Sequence, residues 1–194
     1  LRNKIASLVD EMHYHFYRSG YSTIIRESRD FSCVVLDRNG RLIVSPPMFF
    51  HAPVYRYLVG RILELYNSQD GEPGDICEGD VFVCNHPYEG GLPHVSDMAF
   101  VASVFSGGRI VAFTGSIAHK ADVGGTNPGS TSANATEIFQ EGLLLPPMKI
   151  WDKGVLLNDV ERLILANTRQ PVLVCGDMNA QIAVTHHGAV RVKD

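Results

Sequence analysis

Apolar side chains recur every three or four positions in four segments of the chain, a spacing that places them on one face of a helix. The spacing holds over residues 1–16, 54–66, 160–168 and 172–184. Gly20 follows the first of these segments and would stop a helix there. Four amphipathic helices are therefore predicted, and Pro171 suits the first turn of the last one.

The middle of the chain carries short runs of β-branched and aromatic residues instead, which predict strands. These runs are residues 31–36, 41–44, 81–84, 98–105 and 109–117. Asn39 and Gly40 readily supply the positive φ of a tight turn, so the first two runs should form a hairpin. Gly107 and Gly108 should join the last two runs in the same way. We expect an α+β (mixed α/β) fold, with an antiparallel or mixed sheet containing hairpins, flanked by N-terminal and C-terminal helices.

Composition narrows the class of protein. The chain has 194 residues, of which 45% are hydrophobic and 20% charged, which suits a single folded domain spanning residues 1–194. A net charge of −4 offers no basic field for nucleic acid, and no apolar run reaches the ~20 residues that span a bilayer. The first residues lack a signal-peptide pattern, so a cytoplasmic protein is expected. The four cysteines form no Cys-x-x-Cys pair, which indicates reduced, structural thiols.

The densest group of chemically active side chains follows the predicted strand 81–84. Within twelve positions it contains His86, Glu89, His94 and Asp97. Histidine and aspartate suit Zn²⁺, Mn²⁺ or Fe²⁺, and the glycines and prolines between them can fold the loop so that its side chains converge. One interpretation is a metal site. The other is a polar surface loop in which one histidine caps a strand.

A second pair, His119 and Asp122, repeats the His-x-x-Asp spacing of His94 and Asp97. If the two strands between these pairs form an antiparallel hairpin, the chain leaves and returns at the same end of the sheet. The two pairs would then be neighbours in one site. The predicted metal ligands are therefore His94, Asp97, His119 and Asp122. For Asp122 the alternative is a turn in which its carboxylate binds backbone amides.

Several short motifs run along the chain in a fixed order: residues 27–32, 35–42, 79–83, 85–91, 118–125, 128–130 and 141–147. In this order they resemble the hydantoinase B/oxoprolinase family, which includes the large subunits of acetone and acetophenone carboxylases. The resemblance extends over nearly the whole chain. In those carboxylases a divalent metal is held by a His-x-x-Asp motif and a later histidine, which by motif match His94, Asp97 and His119 here.

The chain departs from the family pattern in two places. His86 stands where many members have aspartate, so it is a reserve ligand, a residue that orients the ligands, or a structural residue. His94 follows Tyr88 by six positions, one more than is usual in the family. The chain is also much shorter than family members, and we expect it to be the N-terminal portion of a longer subunit.

Three further carboxylates are candidates for the same site. Glu27 and Asp30 lie in the first family motif, where either could complete or orient the metal shell; ion pairing with nearby arginines is the alternative. Glu141 could act as a general base if it is buried near the metal, because burial raises a carboxyl pKa toward neutrality. Its alternative role is that of a carboxylate on the surface of the long loop 121–147.

The resemblance also implies an activity. The expected function is that of the metal-binding subunit of an ATP-dependent cyclic-amide hydrolase of the hydantoinase/5-oxoprolinase type. No phosphate-binding loop ending in Lys-Ser/Thr occurs in the chain, so ATP and Mg²⁺ are expected on a separate hydantoinase A-type subunit. The alternatives are a subunit of an ATP-dependent acetone- or acetophenone-type carboxylase acting on a ketone, and a non-catalytic, metal-stabilised assembly domain.

The last predicted helix raises the question of self-association. Its apolar residues are Val172, Leu173, Val174, Ile182, Ala183 and Val184. If the chain that covers them in longer family members is missing, they form an exposed apolar face, and such faces drive association in soluble proteins. A homo-oligomer is therefore expected.

Overall fold

The computed structural model describes residues 2–44, 51–129 and 132–193. Within these ranges the helices are α1 (Arg2–Ser19), α2 (Ala52–Leu65), α3 (Pro87–Gly90), α4 (Asn158–Ala166) and α5 (Pro171–Arg191). The strands are β1 (Phe31–Asp37), β2 (Val81–Cys84), β3 (Asp97–Ser106), β4 (Arg109–His119), β5 (Met148–Asp152) and β6 (Val155–Leu156). A π-helical turn covers Ile24–Ser28 and a 3₁₀ turn covers Ile138–Gln140. Leu1 of the first predicted helix and Ser130 of one family motif lie outside the described residues.

The six strands form one sheet in the order β1-β4-β3-β2-β5-β6, and every neighbouring pair is antiparallel. Helices α1 and α5 flank this sheet, which confirms the predicted α+β class with N-terminal and C-terminal helices. Strands β5 and β6 were not predicted from the sequence. Among the described residues, no helix combines the length and the apolar character needed to cross a bilayer.

The central strands are covered on both faces, because alternate side chains of a strand point to opposite sides. On β3, Ala99 and Val101 belong to a core with Leu58 and Ile62 of α2. Phe100, between them, belongs to a second core that includes residues of α5. The sheet therefore lies between α2 on one side and the α1 and α5 pair on the other.

The last helix does not present the exposed apolar face that the sequence predicted. Val174, Ile182 and Val184 are buried, because α5 packs against β3, β4 and α1 of the same chain. Val172 is 75% exposed, and Ala183 is also exposed. The prediction of a continuous face was wrong, since the chain's own sheet covers most of it. A homo-oligomer stays a prediction without this support.

The first predicted hairpin is only partly formed. Its turn is present: Asp37 Oδ1 accepts hydrogen bonds from the backbone N–H groups of Asn39 and Arg41, and Gly40 takes a positive φ of 74°. Beyond the turn, the predicted strand 41–44 makes an isolated bridge between Leu36 and Leu42 instead of a ladder. Strand β1 obtains its full pairing from β4 on its other edge.

A buried asparagine ties the long loop 121–147 to the sheet. The Asn85 amide donates to the carbonyl oxygens of Val95, at 2.9 Å, and Leu143, at 2.8 Å. Its Oδ1 accepts from the Leu145 N–H at 2.7 Å. One side chain thus holds the segment before β3 and the end of the long loop in a fixed relation.

Replacing Asn85 by alanine should lower the free energy of unfolding by about 3 kcal/mol or more, because each buried group left without its partner costs ~1–3 kcal/mol. Urea denaturation measures this change. The exposed Asn179 is the matched control, and Asn179→Ala should change stability by less than about 0.5 kcal/mol. Equal stabilities for the two variants would contradict the role assigned to Asn85.

Candidate metal centre

The ends of three neighbouring strands, β1, β3 and β4, lie together at one end of the sheet. β3 begins at Asp97 and β4 ends at His119, and these two residues stand directly opposite each other in the ladder. β1 begins beside them, since Phe31 pairs with Ala118. Directly opposed residues of antiparallel strands project from the same face with Cβ atoms ~4.5–5.5 Å apart. The sheet register therefore sets Asp97 and His119 side by side.

His94 reaches the same point through a tight turn. The Asp97 N–H donates to the His94 carbonyl oxygen at 3.2 Å, which folds the three residues between Pro93 and Asp97 back on themselves. As a result His94 Nε2 lies 3.3 Å from Asp97 Oδ1, and His119 Nδ1 lies 3.3 Å from the same oxygen. The ligand atoms of His94, Asp97 and His119 all lie within 4.8 Å of one another. The predicted convergence of the two strand ends is present.

The atoms that face one another at this point are buried without hydrogen bonds. Within the described part of the chain, neither Asp97 Oδ1 nor His119 Nδ1 has a hydrogen-bond partner, although both are shielded from solvent. Burial would raise the pKa of the Asp97 carboxyl, but the three histidines around it outweigh burial and hold that pKa well below its usual range. Contact with Asp97 raises the pKa of His94 in turn. The cluster therefore contains an anionic carboxylate and favours a positive charge beside it.

A third histidine, His51, touches the same carboxylate and was not identified from the sequence. It immediately precedes α2, and its Nε2 lies 3.7 Å from Asp97 Oδ2, with both side chains buried. Its Nδ1 shares a 2.8 Å hydrogen bond with Ser32 Oγ on β1. Tyr55 completes this chain of contacts by donating to the Ser32 carbonyl oxygen at 2.8 Å. A single histidine far from any motif gives no sequence signal, and only the packing of α2 on the sheet reveals its place.

Tyr55 can reach Ser32 because β4 has a glycine at the position beneath it. A Cβ atom on Gly115 would lie 2.9 Å from the Tyr55 ring, closer than real contacts allow. The glycine therefore lets α2 approach the sheet, which brings His51 to Asp97.

Of the two carboxylates in the first family motif, only Asp30 borders the cluster. Asp30 Oδ2 lies 4.0 Å from His119 Nδ1. The backbone N–H of His119 donates to the backbone carbonyl oxygen of Asp30. Glu27 lies on the π-helical turn and lines a separate surface pocket. His86 does not join the cluster: its Nδ1 accepts hydrogen bonds from the N–H groups of Tyr88 and Glu89 at the start of α3. The capping of α3 is a structural role, which was one of the predicted alternatives for His86.

Asp122 lies apart from the other predicted ligands. The ligand cluster of the described residues does not include it, and its carboxylate forms an ion pair with Arg169 at 3.0 Å. The same carboxylate accepts hydrogen bonds from the N–H groups of Gly124 and Arg169 and from the Thr168 hydroxyl. The prediction that Asp122 joins the metal ligands is corrected, because the chain leaves β4 at His119 and turns away. Its alternative role, a carboxylate that binds turn amides, is the one observed.

A pocket opens beside His94. Its volume is about 410 Å³, and its walls include Tyr88, His94, Thr136 and Glu141. Glu141 is half-buried and close enough to His94 for its charge to raise the pKa of that imidazole. The predicted general base, Glu141, and the predicted metal ligand His94 thus line the same pocket.

The chain matches, over residues 1–194, the family model described as Hydantoinase B/oxoprolinase. The caprolactamase subunit beta of Pseudomonas jessenii is 31% identical over 182 residues, which cover 93% of this chain and 30% of that protein. The solved structure of an ATP-dependent caprolactamase from Pseudomonas jessenii has a TM-score of 0.87 at 26% identity, covering 99% of this chain and 32% of that one.

The nucleotide-free structure of an acetone carboxylase has a TM-score of 0.83 at 19% identity, covering 98% of this chain and 25% of that one. At this identity the likeness is one of fold alone. The chain spans about a third or less of the length of each of these proteins.

Asp122→Asn should lower stability by roughly 2–3 kcal/mol at neutral pH, because the donors of Gly124, Thr168 and Arg169 lose a buried anionic acceptor. It should leave metal affinity unchanged within about twofold. Burial would raise the pKa of the Asp122 carboxyl, but its hydrogen bonds and its ion pair with Arg169 outweigh burial and lower that pKa. The stability that these contacts add is therefore fully present above the ordinary aspartate pKa, and it is lost as the pH falls through the lowered pKa.

Urea denaturation at pH 7 and at pH 3 measures this effect, with the highly exposed Asp159→Asn as control. The difference in stability between wild type and Asp122→Asn should shrink at the lower pH. Loss of metal binding with unchanged stability would restore Asp122 as a ligand.

Proposed function

Because this chain belongs to the hydantoinase B/oxoprolinase family, we propose that it is the metal-binding portion of an ATP-dependent cyclic-amide hydrolase. The observation that carries the proposal is the cluster of His94, His119 and the buried Asp97 beside an open pocket. A separate, hydantoinase A-type subunit would bind ATP and Mg²⁺. The substrate would be a ring amide, as the family name and the caprolactamase relative suggest.

The donor set fits a divalent transition metal. Two imidazole nitrogens and one carboxylate oxygen suit Zn²⁺, Mn²⁺ or Fe²⁺. Ligand atoms ~2.0–2.2 Å from a tetrahedral ion stand roughly 3.3–3.6 Å apart. The two nitrogen-to-oxygen distances of 3.3 Å around Asp97 Oδ1 fall at the start of this range. A cation would also give partners to the buried atoms of Asp97 and His119 that have none.

His51 and Asp30 would orient the ligands without binding the ion. His51 approaches the second oxygen of Asp97, leaving the first oxygen directed at the two ligand histidines. Asp30 approaches His119 from the β1 side. Partners of this kind fix ligand orientation and commonly change metal affinity by ~10–100-fold when removed.

Three protein ligands and an adjoining pocket favour catalysis over a purely structural role. Structural zinc sites are usually closed four-ligand shells, whereas catalytic sites keep one position open. In this cluster the exposed side is that of His94, which also forms part of the pocket wall. This feature weighs against the alternative of a non-catalytic, metal-stabilised assembly domain.

The pocket residues suggest how the chain would act on a ring amide. When bound, the metal would supply a Lewis acid for the amide carbonyl. Glu141, on the pocket wall, would accept a proton from the attacking water and pass it to the ring nitrogen. The proline and tyrosine side chains of the same wall, Pro87, Tyr88 and Pro93, would pack against an apolar ring.

Ketone carboxylation is the weaker candidate. The neighbour that carries it shares the fold at 19% identity, while the caprolactamase relative is 31% identical over 93% of the chain. Assays with a ring amide, and with acetone and bicarbonate, separate the two reactions by their products.

Asp97→Asn should reduce the metal content of the purified protein by one equivalent, because the anionic oxygen shared by both histidines is lost. Elemental analysis and calorimetric titration with Zn²⁺ measure this loss. His86→Asn is the matched control: asparagine can still cap α3, and one histidine is removed close to the site. Retention of the full metal content by Asp97→Asn, or equal losses in both variants, would contradict the proposal.

Glu141→Gln, tested in the complete enzyme with its ATP-binding subunit, should lower kcat for ring-amide hydrolysis by roughly 10²–10⁴-fold, as expected for loss of a general base. Its metal content should not change. Glu64→Gln, on the exposed face of α2, is the control and should retain full activity. The chain without its partner should not hydrolyse ATP. Full activity of Glu141→Gln would exclude this residue as the base.

A further inference from the structure

A second group of histidine and carboxylate side chains lies on the opposite side of the sheet, where α1 meets α5. It consists of Glu11 and His15, one turn apart on α1, and His187 on α5. Their ligand atoms all lie within 4.8 Å of one another. None of these residues belongs to the cluster around Asp97 or to a family motif.

The close approach of the two helices creates this group. A Cβ atom on Gly188 would lie 2.6 Å from the sulfur of Met12, so the glycine lets α5 settle against α1. The neighbouring His187 then reaches across, and its Nε2 lies 2.8 Å from Glu11 Oε1. Residues four apart on a helix share a face, which places His15 over the same carboxylate.

The geometry leaves one imidazole without a matching hydrogen bond to the carboxylate. His15 Nε2 lies 3.7 Å from Glu11 Oε1, too far for a hydrogen bond, while His187 occupies that oxygen. The two rings stand edge to face with centroids 5.2 Å apart. The other oxygen, Glu11 Oε2, lies 3.9 Å from Arg191. One carboxylate oxygen is thus directed at two imidazoles and the other at a guanidinium.

We propose that Glu11, His15 and His187 form a second transition-metal site, of the kind that takes Zn²⁺, which clamps the N-terminal helix to the C-terminal helix. Two histidines and one carboxylate are an established three-ligand set for zinc. The ion would replace the proton shared by His187 and Glu11, and that proton would be released to solvent. Arg191 would remain on the second oxygen and keep Glu11 monodentate.

The site is open to solvent, which suits binding from solution. The side chains of His15, Glu11 and His187 are 53%, 35% and 36% exposed. Because His15 is the most exposed member, its replacement removes a ligand without disturbing the core. His186, adjacent in sequence but exposed and outside the group, provides a matched control.

The test is calorimetric titration of the chelator-stripped protein with Zn²⁺, together with elemental analysis after dialysis. His15→Ala and His187→Gln should each remove one equivalent of bound zinc, or weaken that equivalent at least tenfold, while His186→Ala retains it. The same loss should occur when the variants are made in the His94→Ala chain, which separates this site from the cluster around Asp97. Circular dichroism checks that each variant is folded.

A thermal readout tests the clamp itself. Zn²⁺ should raise the Tm of the His94→Ala chain, since ligands that bind the folded state stabilise it. His15→Ala in that chain should abolish the rise. The proposal is overturned if His15→Ala and His187→Gln bind as much zinc as His186→Ala, whatever the outcome at Asp97.

Discussion

The buried carboxylate of Asp97 is the constraint on which the rest of the site depends. Removing a carboxylate from water costs several kcal/mol unless charges and hydrogen bonds compensate it. The compensation comes from three histidines contributed by different segments: the loop before β3, the end of β4 and the start of α2. The positions of these three segments therefore all depend on contacts with the two carboxylate oxygens of Asp97.

The sheet and its helices supply the precision that this arrangement needs. Antiparallel register fixes Asp97 opposite His119, and Asn85 fixes the turn that carries the chain into β3. Gly115 lets α2 approach the sheet closely, so that His51 contacts the second carboxylate oxygen of Asp97. The accessible side of the cluster is formed by His94 and by the pocket that Glu141 also lines. A site for metal-assisted chemistry requires ligands held in a fixed orientation and one side that the substrate can reach.

The parts of the cluster that depend on local spacing could be predicted from the sequence. His94 and Asp97 share a motif, and a hairpin between strands of similar length returns the chain to the same end, which brings in His119. Asp122 has the same His-x-x-Asp spacing but does not join the cluster. Its carboxylate is bound instead by Arg169, a partner 47 residues away. His51 could not be found, since its role follows from helix packing that no local pattern encodes. The helix at the end of the chain shows the same limit: its apolar residues were recognised, but not that the sheet of this chain would cover them.

X-ray diffraction from crystals of the zinc-loaded protein, with anomalous difference density at the zinc absorption edge, tests the central claim most directly. We predict one ion ~2.0–2.2 Å from His94 Nε2, Asp97 Oδ1 and His119 Nδ1, with a fourth position facing the pocket. Absence of density at this point, with the histidines hydrogen-bonded to Asp97 instead, would contradict it.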